Sequence, residues 1–476
     1  MADLPLGTAA RRRRGGRLAL GLAGTLAAAL AVGAVLAVPL AFPAAAPAVA
    51  TVTPVAAPAV AACAGPFLAI GSTDSTQLAA VGAAQTASVG APGITAADLA
   101  AGTGVTGAGA AASFTAPAAS GAATSPLLGA AQSQAITTAE ARGFTAAACT
   151  APTAEAWLVG GSNDIGETSI LRLSNPGGTP ASVDLQIWGE QGAVTATGAI
   201  GILVNPHAQT VVPLAGIAPG VIAPVIHLLA SGGTVAATVQ QSYIAGIAPA
   251  GADLFSASVA PVTHVVVPGV VFTTMKAVAA NSASDEVTAS ADVLRVFAPG
   301  AGTTSIQIGI RGESGQKWAT ATQVTIAQGI VQDVPLTGMP DGTYDITVDS
   351  GAPITVAART LAIGKTATDF AWWPAAEPLG AGAAVAVAPG PGASLHLVNP
   401  TDSAITVSLT ASGAAAAARQ VAAHSGVALP VVGAGYTLAG AAGLLASVSF
   451  AGDGALAGYG VAPAAGAAPA VTVYTR

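Results

Sequence analysis

The sequence predicts an all-β protein of tandem antiparallel β-sandwich units behind an N-terminal transmembrane anchor, and three observations predict it. The first is a pattern that occurs three times, as Leu171-Arg-Leu-Ser-Asn-Pro176, Leu294-Arg-Val-Phe-Ala-Pro299 and Leu395-His-Leu-Val-Asn-Pro400. At +7, +9 and +11 from each proline stand Val183, Leu185 and Ile187, then Ile306, Ile308 and Ile310, then Val407, Leu409 and Ala411; a glycine follows at +13 (Gly189, Gly312, Gly413). Spacing kept without gaps through three copies marks one supersecondary unit used three times. The second observation is that these apolar positions alternate with polar or small ones, the period of a strand. The third is composition: 52% of residues are hydrophobic, but 59 glycines and 32 prolines keep interrupting them, which suits short strands and turns rather than long helices.

The elements follow in chain order. Arg11, Arg12, Arg13, Arg14 and Arg17 precede residues 18–42, which carry no charge. As a helix, those residues reach about 37 Å, enough for a hydrocarbon core of about 30 Å. The arginines place the N-terminus in the cytoplasm and the body outside. The run exceeds the apolar stretch of about 7 to 15 residues in a cleaved signal peptide, so a retained anchor is expected. Ala-x-Ala sites around residues 44–50 make a secreted form the alternative. Residues 43–62, uncharged and rich in Pro and Ala, read as an extended spacer.

Five of the 15 basic and one of the 22 acidic residues precede residue 43, leaving 10 against 21, a net of −11 for the body. So acidic a body is a poor binder of phosphate backbones, and nucleic acid is excluded as a partner.

Cys63 and Cys149 are the only cysteines, both on the exported side, so a disulfide is expected between them. Residues 63–156 read as a small β-rich module closed by that bond, weakly ordered between about 100 and 135. Three repeats follow, at 157–262, 263–370 and 371–476. In each, the proline and the Gly, Thr, Ser or Asp residues after it read as a hairpin turn. A second strand pair then ends in Val211-Val-Pro-Leu214, Asp333-Val-Pro-Leu336 or Val427-Ala-Leu-Pro430, and an alternating strand closes the unit. Five to seven strands in about 80 to 120 residues fit a small immunoglobulin-like sandwich.

Residues 157–176, Trp-Leu-Val-Gly-Gly-Ser-Asn-Asp-Ile-Gly-Glu-Thr-Ser-Ile-Leu-Arg-Leu-Ser-Asn-Pro, resemble the recurring Trp, Gly-rich, Leu-x-Leu-x-Asn-Pro element of an uncharacterised family of large exported actinobacterial proteins. Copies two and three lack the leading Trp-x-x-Gly-Gly. The resemblance implies export and a β-rich fold, and it brings no activity and no catalytic residue with it.

Chemistry is sparse. His207, His227, His264, His396 and His424 are scattered, and no metalloprotease, nucleophile-elbow or Cys-His motif occurs. His396 stands where the other copies have Arg172 and Arg295, so an exposed strand position is expected for it. Asp341, Asp345 and Asp349 are the densest carboxylates. They read as an Asp-Gly turn entering a strand, with Ca²⁺ binding as the functional alternative. Trp157, Trp188 and Trp318 read as core or sheet-face aromatics, with sugar stacking as the alternative. No catalytic residue, cofactor or metal is assigned. The expected function is a non-catalytic, membrane-anchored, extracytoplasmic structural or interaction module whose partner is a cell-envelope protein or polysaccharide. A carbohydrate-binding protein and a hydrolase are the alternatives.

Overall fold

The computed structural model describes residues 21, 23–31, 48–52, 55–70, 77–107, 109–122, 124–273, 292–315, 319–365, 367–433, 435–464 and 471–475. The described chain is nearly all β, in many sheets. It forms two compact units, Met1–Pro54 with Pro469–Arg476, and Val55–Ala468. In the first, Ala48–Val52 pairs antiparallel with Val471–Thr475, Ala48 opposite Thr475. The spacer expected over residues 43–62 is therefore not merely extended. Part of it finds a β-competent partner in Val-Thr-Val-Tyr-Thr, and Ala59–Cys63 is a strand of the second unit. The anchor expected over 18–42 lies largely outside the described residues, of which 21 and 23–31 are helical. No described helix is long and apolar enough to cross a membrane.

The second unit shows why the spacing repeats. The motif strands Glu167–Asn175, Val293–Phe297 and Ser394–Asn399 each run antiparallel between two neighbours in one common register. Leu171 lies opposite Val212 and Val239, Leu294 opposite Val334 and Ala358, and Leu395 opposite Leu429 and Val448. The Pro after each second strand therefore falls at one place, Pro213 opposite Ile170, Pro335 opposite Val293 and Pro430 opposite Ser394, on the outermost strand of its sheet, where a missing N–H costs least.

The hairpin expected after each motif is not formed. The next strands, Ala181–Gly189, Thr303–Gly312 and Ile405–Ala411, pair with other partners. The turn instead carries the chain from one sheet to the other, because both strands bury their alternate apolar residues in one core from opposite sides: Leu171 and Leu173 meet Val183, Leu185 and Ile187. Buried Asn175 and Asn399 fix this crossover. Each donates from Nδ2 to two carbonyls (Thr179 and Val204; Ser403 and Val421) and accepts a backbone N–H two residues on. The second copy has Ala298 there and makes its turn without them.

The stretch 100–135 holds strands Val105–Thr106, Ala112–Ala116 and Leu128–Thr137 rather than weak structure. Its few large side chains are supplemented by buried amides. Gln132 clasps the N–H and C=O of Gly65, and Gln134 accepts from the N–H of Phe67. Cys63 and Cys149 are joined by a disulfide, as expected. The bond sits among Ala61, Phe114 and Ala130, a cluster too small to hold these strands alone. Reduction should therefore destabilise the protein by about 4 kcal/mol on the chain-entropy model. Urea denaturation with and without reductant, read with limited proteolysis, checks this, and cleavage should begin between residues 63 and 149.

Four strand groups make up this unit: one N-terminal (59–148) and three repeats (155–256, 262–374 and 382–460). Each contributes an innermost strand: Arg142–Ala148, Ala248–Ser256, Thr368–Pro374 and Ala455–Gly460. Each of these lies against the next, and the fourth lies against the first. The groups thus close head to tail into a ring through their innermost strands.

Candidate functional site

Ring closure decides where the charged side chains go. His396, expected at an exposed strand position, is 0% exposed, and Arg172 and Arg295 at the same place in the other copies are 2% and 3% exposed. The strands do alternate, but the face opposite the core is covered by the preceding group instead of water. Arg172 donates to Pro66 O at 2.6 Å and to Gln209 Oε1 at 3.0 Å, reaching into the N-terminal group. Arg295 donates to Gly161 O at 2.6 Å in the first repeat, lies 4.6 Å over Trp372, and makes a two-pronged pair with Asp333 at 2.8 Å. His396 reaches Glu313 of the second repeat. One motif position therefore clamps three successive boundaries.

At the ring centre, Asp369 is fully buried and accepts backbone N–H groups from all three other groups: Phe144 (2.8 Å), Ala252 (3.1 Å) and Leu456 (3.1 Å). Burial pushes its carboxyl well above the usual range, against the three N–H groups. Asp253 beside it accepts from Trp372 N at 2.6 Å, and burial raises it to about 8.

The boundary between the second and third repeats carries the densest titratable cluster among the described residues. His396 Nδ1 stands 2.7 Å from Glu313 Oε2, and Nε2 stands 2.7 Å from Ser449 Oγ. Glu313 is hydrogen-bonded in turn to Asp345, which accepts Gly269 N–H at 3.1 Å. Burial raises Glu313 to about 7 and Asp345 well above its range, and lowers His396 to about 4. The neutral imidazole donates from Nδ1 to Glu313 and accepts the Ser449 hydroxyl at Nε2, while the two acids share a proton.

Hydroxyl, imidazole and carboxylate are connected here as in a serine hydrolase. However, Ser449 is 3% and His396 0% exposed, so the hydroxyl is closed off from solvent and the arrangement links two repeats. Gly269, at φ +70°, is what lets the second repeat approach: a Cβ there would stand 2.4 Å from the His396 ring. Gly269→Ala should therefore destabilise by about 3 kcal/mol, strained both by its φ and by the collision. Thermal unfolding checks this, with Gly315→Ala, also at positive φ but in open space, as control.

Above this cluster runs a groove of about 610 Å³, lined among others by His264, Arg311, Thr320, Asp349, His424 and Ser425. It exists because the second repeat has small residues where the first has large ones. By register Val266, Thr347 and Gly309 take the places of Trp157, His227 and Gln186.

In the first repeat those places are filled. Trp157 is 7% exposed and stacks 4.1 Å from His227, with Trp188 at 5.8 Å and Phe297 at 6.2 Å. It offers no free ring face, whereas Trp188 is half-buried. Trp318 lies outside the described residues. Asp345 and Asp349 do not converge: Asp345 is in the buried cluster, and Asp349 pairs with His264 at 2.7 Å on the surface. Among the described residues, Asp341 included, no group of three or more His, Cys, Asp or Glu side chains is placed to hold a metal ion. His227 pairs with Glu155 and His424 with Asp402, and His207 is an exposed turn residue. Ser449, Asp253 and Asp369 had no signal in the sequence beyond being rare charged or polar residues within strands, and Glu313 none beyond following one.

The fold and this boundary define a ring of head-to-tail β-modules held by buried charge. A family of unknown function, DUF5719, matches residues 101–434, and the chain belongs to that family. No curated protein matches it.

Proposed function

We propose that the protein is a non-catalytic, membrane-anchored extracytoplasmic component of the cell envelope, serving as a structural or interaction module. The observation that carries this reading is the use of its scarce charge. In a chain with 8% charged residues, Arg172, Arg295, His396, Glu313, Asp253 and Asp369 are buried where groups meet, and only Asp345 of the same buried set reaches the groove. The anchor rests on the uncharged residues 18–42 behind five arginines. The likeness of residues 157–176 to exported actinobacterial proteins points the same way. The finer architecture we propose is three immunoglobulin-like sandwiches, expected from the sequence at 157–262, 263–370 and 371–476 and built on the strand groups 155–256, 262–374 and 382–460, after the disulfide-closed module 63–156. Its support is the single core that paired sheets share in the first and third repeats. Cell fractionation tests the reading: the intact chain should stay with membranes. Recovery only from culture supernatant, with a new N-terminus near residues 44–50, would overturn the anchor in favour of secretion.

A second reading, binding of an envelope polysaccharide, draws support from the groove's ring of hydrogen-bonding side chains rather than from Trp157. Glycan-array binding that is lost in a folded Arg311→Ala protein would promote it. A hydrolase draws less support, because Glu313 and Asp345 touch each other instead of flanking a gap of about 5 to 10 Å.

A further inference from the structure

We infer that the hairpin tip of the first repeat is a lipid-facing contact, through which Ile247 and Ile165 enter the bilayer interface; this rests on the membrane-anchored reading. Ile247 is 99% exposed and Ile165 96%, with Ile244 at 38%. They belong to one knuckle. Strands Ala236–Ala245 and Ala248–Ser256 turn through Gly246-Ile247, and Ile244 N–H donates to Gly166 O at 2.8 Å, beside the Ile165 turn.

The same fold supplies the comparison. The corresponding tips in the other three groups each carry a charge: Glu140, Lys365 and Asp453. Phe255 and Trp373 stand opposite the residues that pair with Leu171 and Leu294. Both tips join the penultimate strand to the innermost one, with Ile247 in the first repeat's turn and Lys365 in the second's. Residues 243–250 carry no charge at all. An uncharged aliphatic tip replaces a charged one only here.

The shape favours a bilayer over a protein partner. A stable protein interface needs about 800 Å² per partner, which a convex tip of two or three side chains does not offer. A bilayer interface accepts such a tip, and the backbone entering it is already hydrogen-bonded across the hairpin. The bilayer is also the surface that never leaves. Residues 43–54 span at most about 40 Å, so an anchored body meets lipid at high effective concentration, and a small apolar contact suffices as a second attachment. Asp164 beside the tip, with Oδ1 on the Ile165 N–H at 2.8 Å, favours zwitterionic over anionic lipid.

Both native cysteines are joined, so Ile247→Cys introduces a single thiol for an environment-sensitive fluorophore. The labelled full chain is reconstituted into phosphatidylcholine vesicles, with Lys365→Cys labelled in parallel and circular dichroism confirming both folds. The label at 247 should emit at shorter wavelength and lose most of its emission to nitroxide-bearing lipid, while the label at 365 responds to aqueous iodide. Iodide quenching of both labels overturns the proposal. A label at 247 that neither quencher reaches also overturns it, in favour of a protein partner or a second copy. Carbonate extraction of the same vesicles separates the two readings. Release of the chain marks failure of the anchor, and retention with an aqueous label at 247 marks failure of the tip alone.

Discussion

Asp369→Ala is expected to cost about 3 to 6 kcal/mol and to loosen the whole ring rather than one module. The substitution leaves the N–H groups of Phe144, Ala252 and Leu456 buried without their acceptor, and each such loss costs about 1 to 3 kcal/mol. The three donors belong to three different strand groups, so no local rearrangement satisfies them together. Asp369→Asn keeps one carbonyl oxygen in place and should lose less, though its amide faces donors where it brings only further N–H groups. Urea denaturation followed by circular dichroism measures the loss. Amide exchange should show faster exchange at all four innermost strands. A loss under about 1 kcal/mol, or exchange confined to Thr368–Pro374, would show that Asp369 is not the common acceptor.

The contrast between what was legible and what was not is sharpest at the second motif position. Leu171, Leu294 and Leu395 announce a core face through period two, and the structure places them in one register. The same period assigns Arg172, Arg295 and His396 to the opposite face, and that is also correct. What period two does not encode is what lies over that face. Burial there comes from ring closure, a contact between residues more than 100 positions apart, such as Arg172 with Pro66 or Arg295 with Gly161. A mainly apolar chain that places Arg, Arg and His at one repeated position carried a hint, since buried charge is kept only where it is paired. The turn after the motif failed for a related reason. A Pro-Gly stretch signals a reversal but not whether the next strand pairs with the last or crosses to the facing sheet. The disulfide was legible because two cysteines allow one pairing. The Glu313–His396–Ser449 network was not, because its members come from two strands and a bend with no spacing to link them.

Raising the pH from 5 to 8 is expected to destabilise the protein, against the usual behaviour of carboxylates. Burial raises Glu313 from 4.5 to about 7, Asp292 from 3.8 to about 7 and Asp253 from 3.8 to about 8. A raised acid binds its proton more tightly in the folded than in the unfolded chain. Stability from such a group is intact below the unfolded value and is lost as pH climbs through the folded one. Glu313 and Asp345 share a proton, so this loss belongs to the pair and not to either acid alone.

His396 works the other way: lowered to about 4 in the folded chain but protonating near 6.5 once unfolded, it adds stability as pH rises toward 6.5 and offsets part of the fall, which Asp253 and Asp292 still carry toward pH 8. Asp333 also acts opposite to the raised acids: burial pushes it up, but Arg295 holds it below its usual range. Its contribution fails only on acidification below about 4, which sets the lower limb. Denaturation midpoints should therefore be highest around pH 5 and fall toward pH 8. Glu313→Gln, which keeps an acceptor for His396 and cannot ionise, should flatten part of that fall and leave the pH 5 midpoint nearly unchanged. Midpoints that rise between pH 5 and 8, or a Glu313→Gln protein as pH-sensitive as the parent, would show that the second and third repeats are held together without a shared proton.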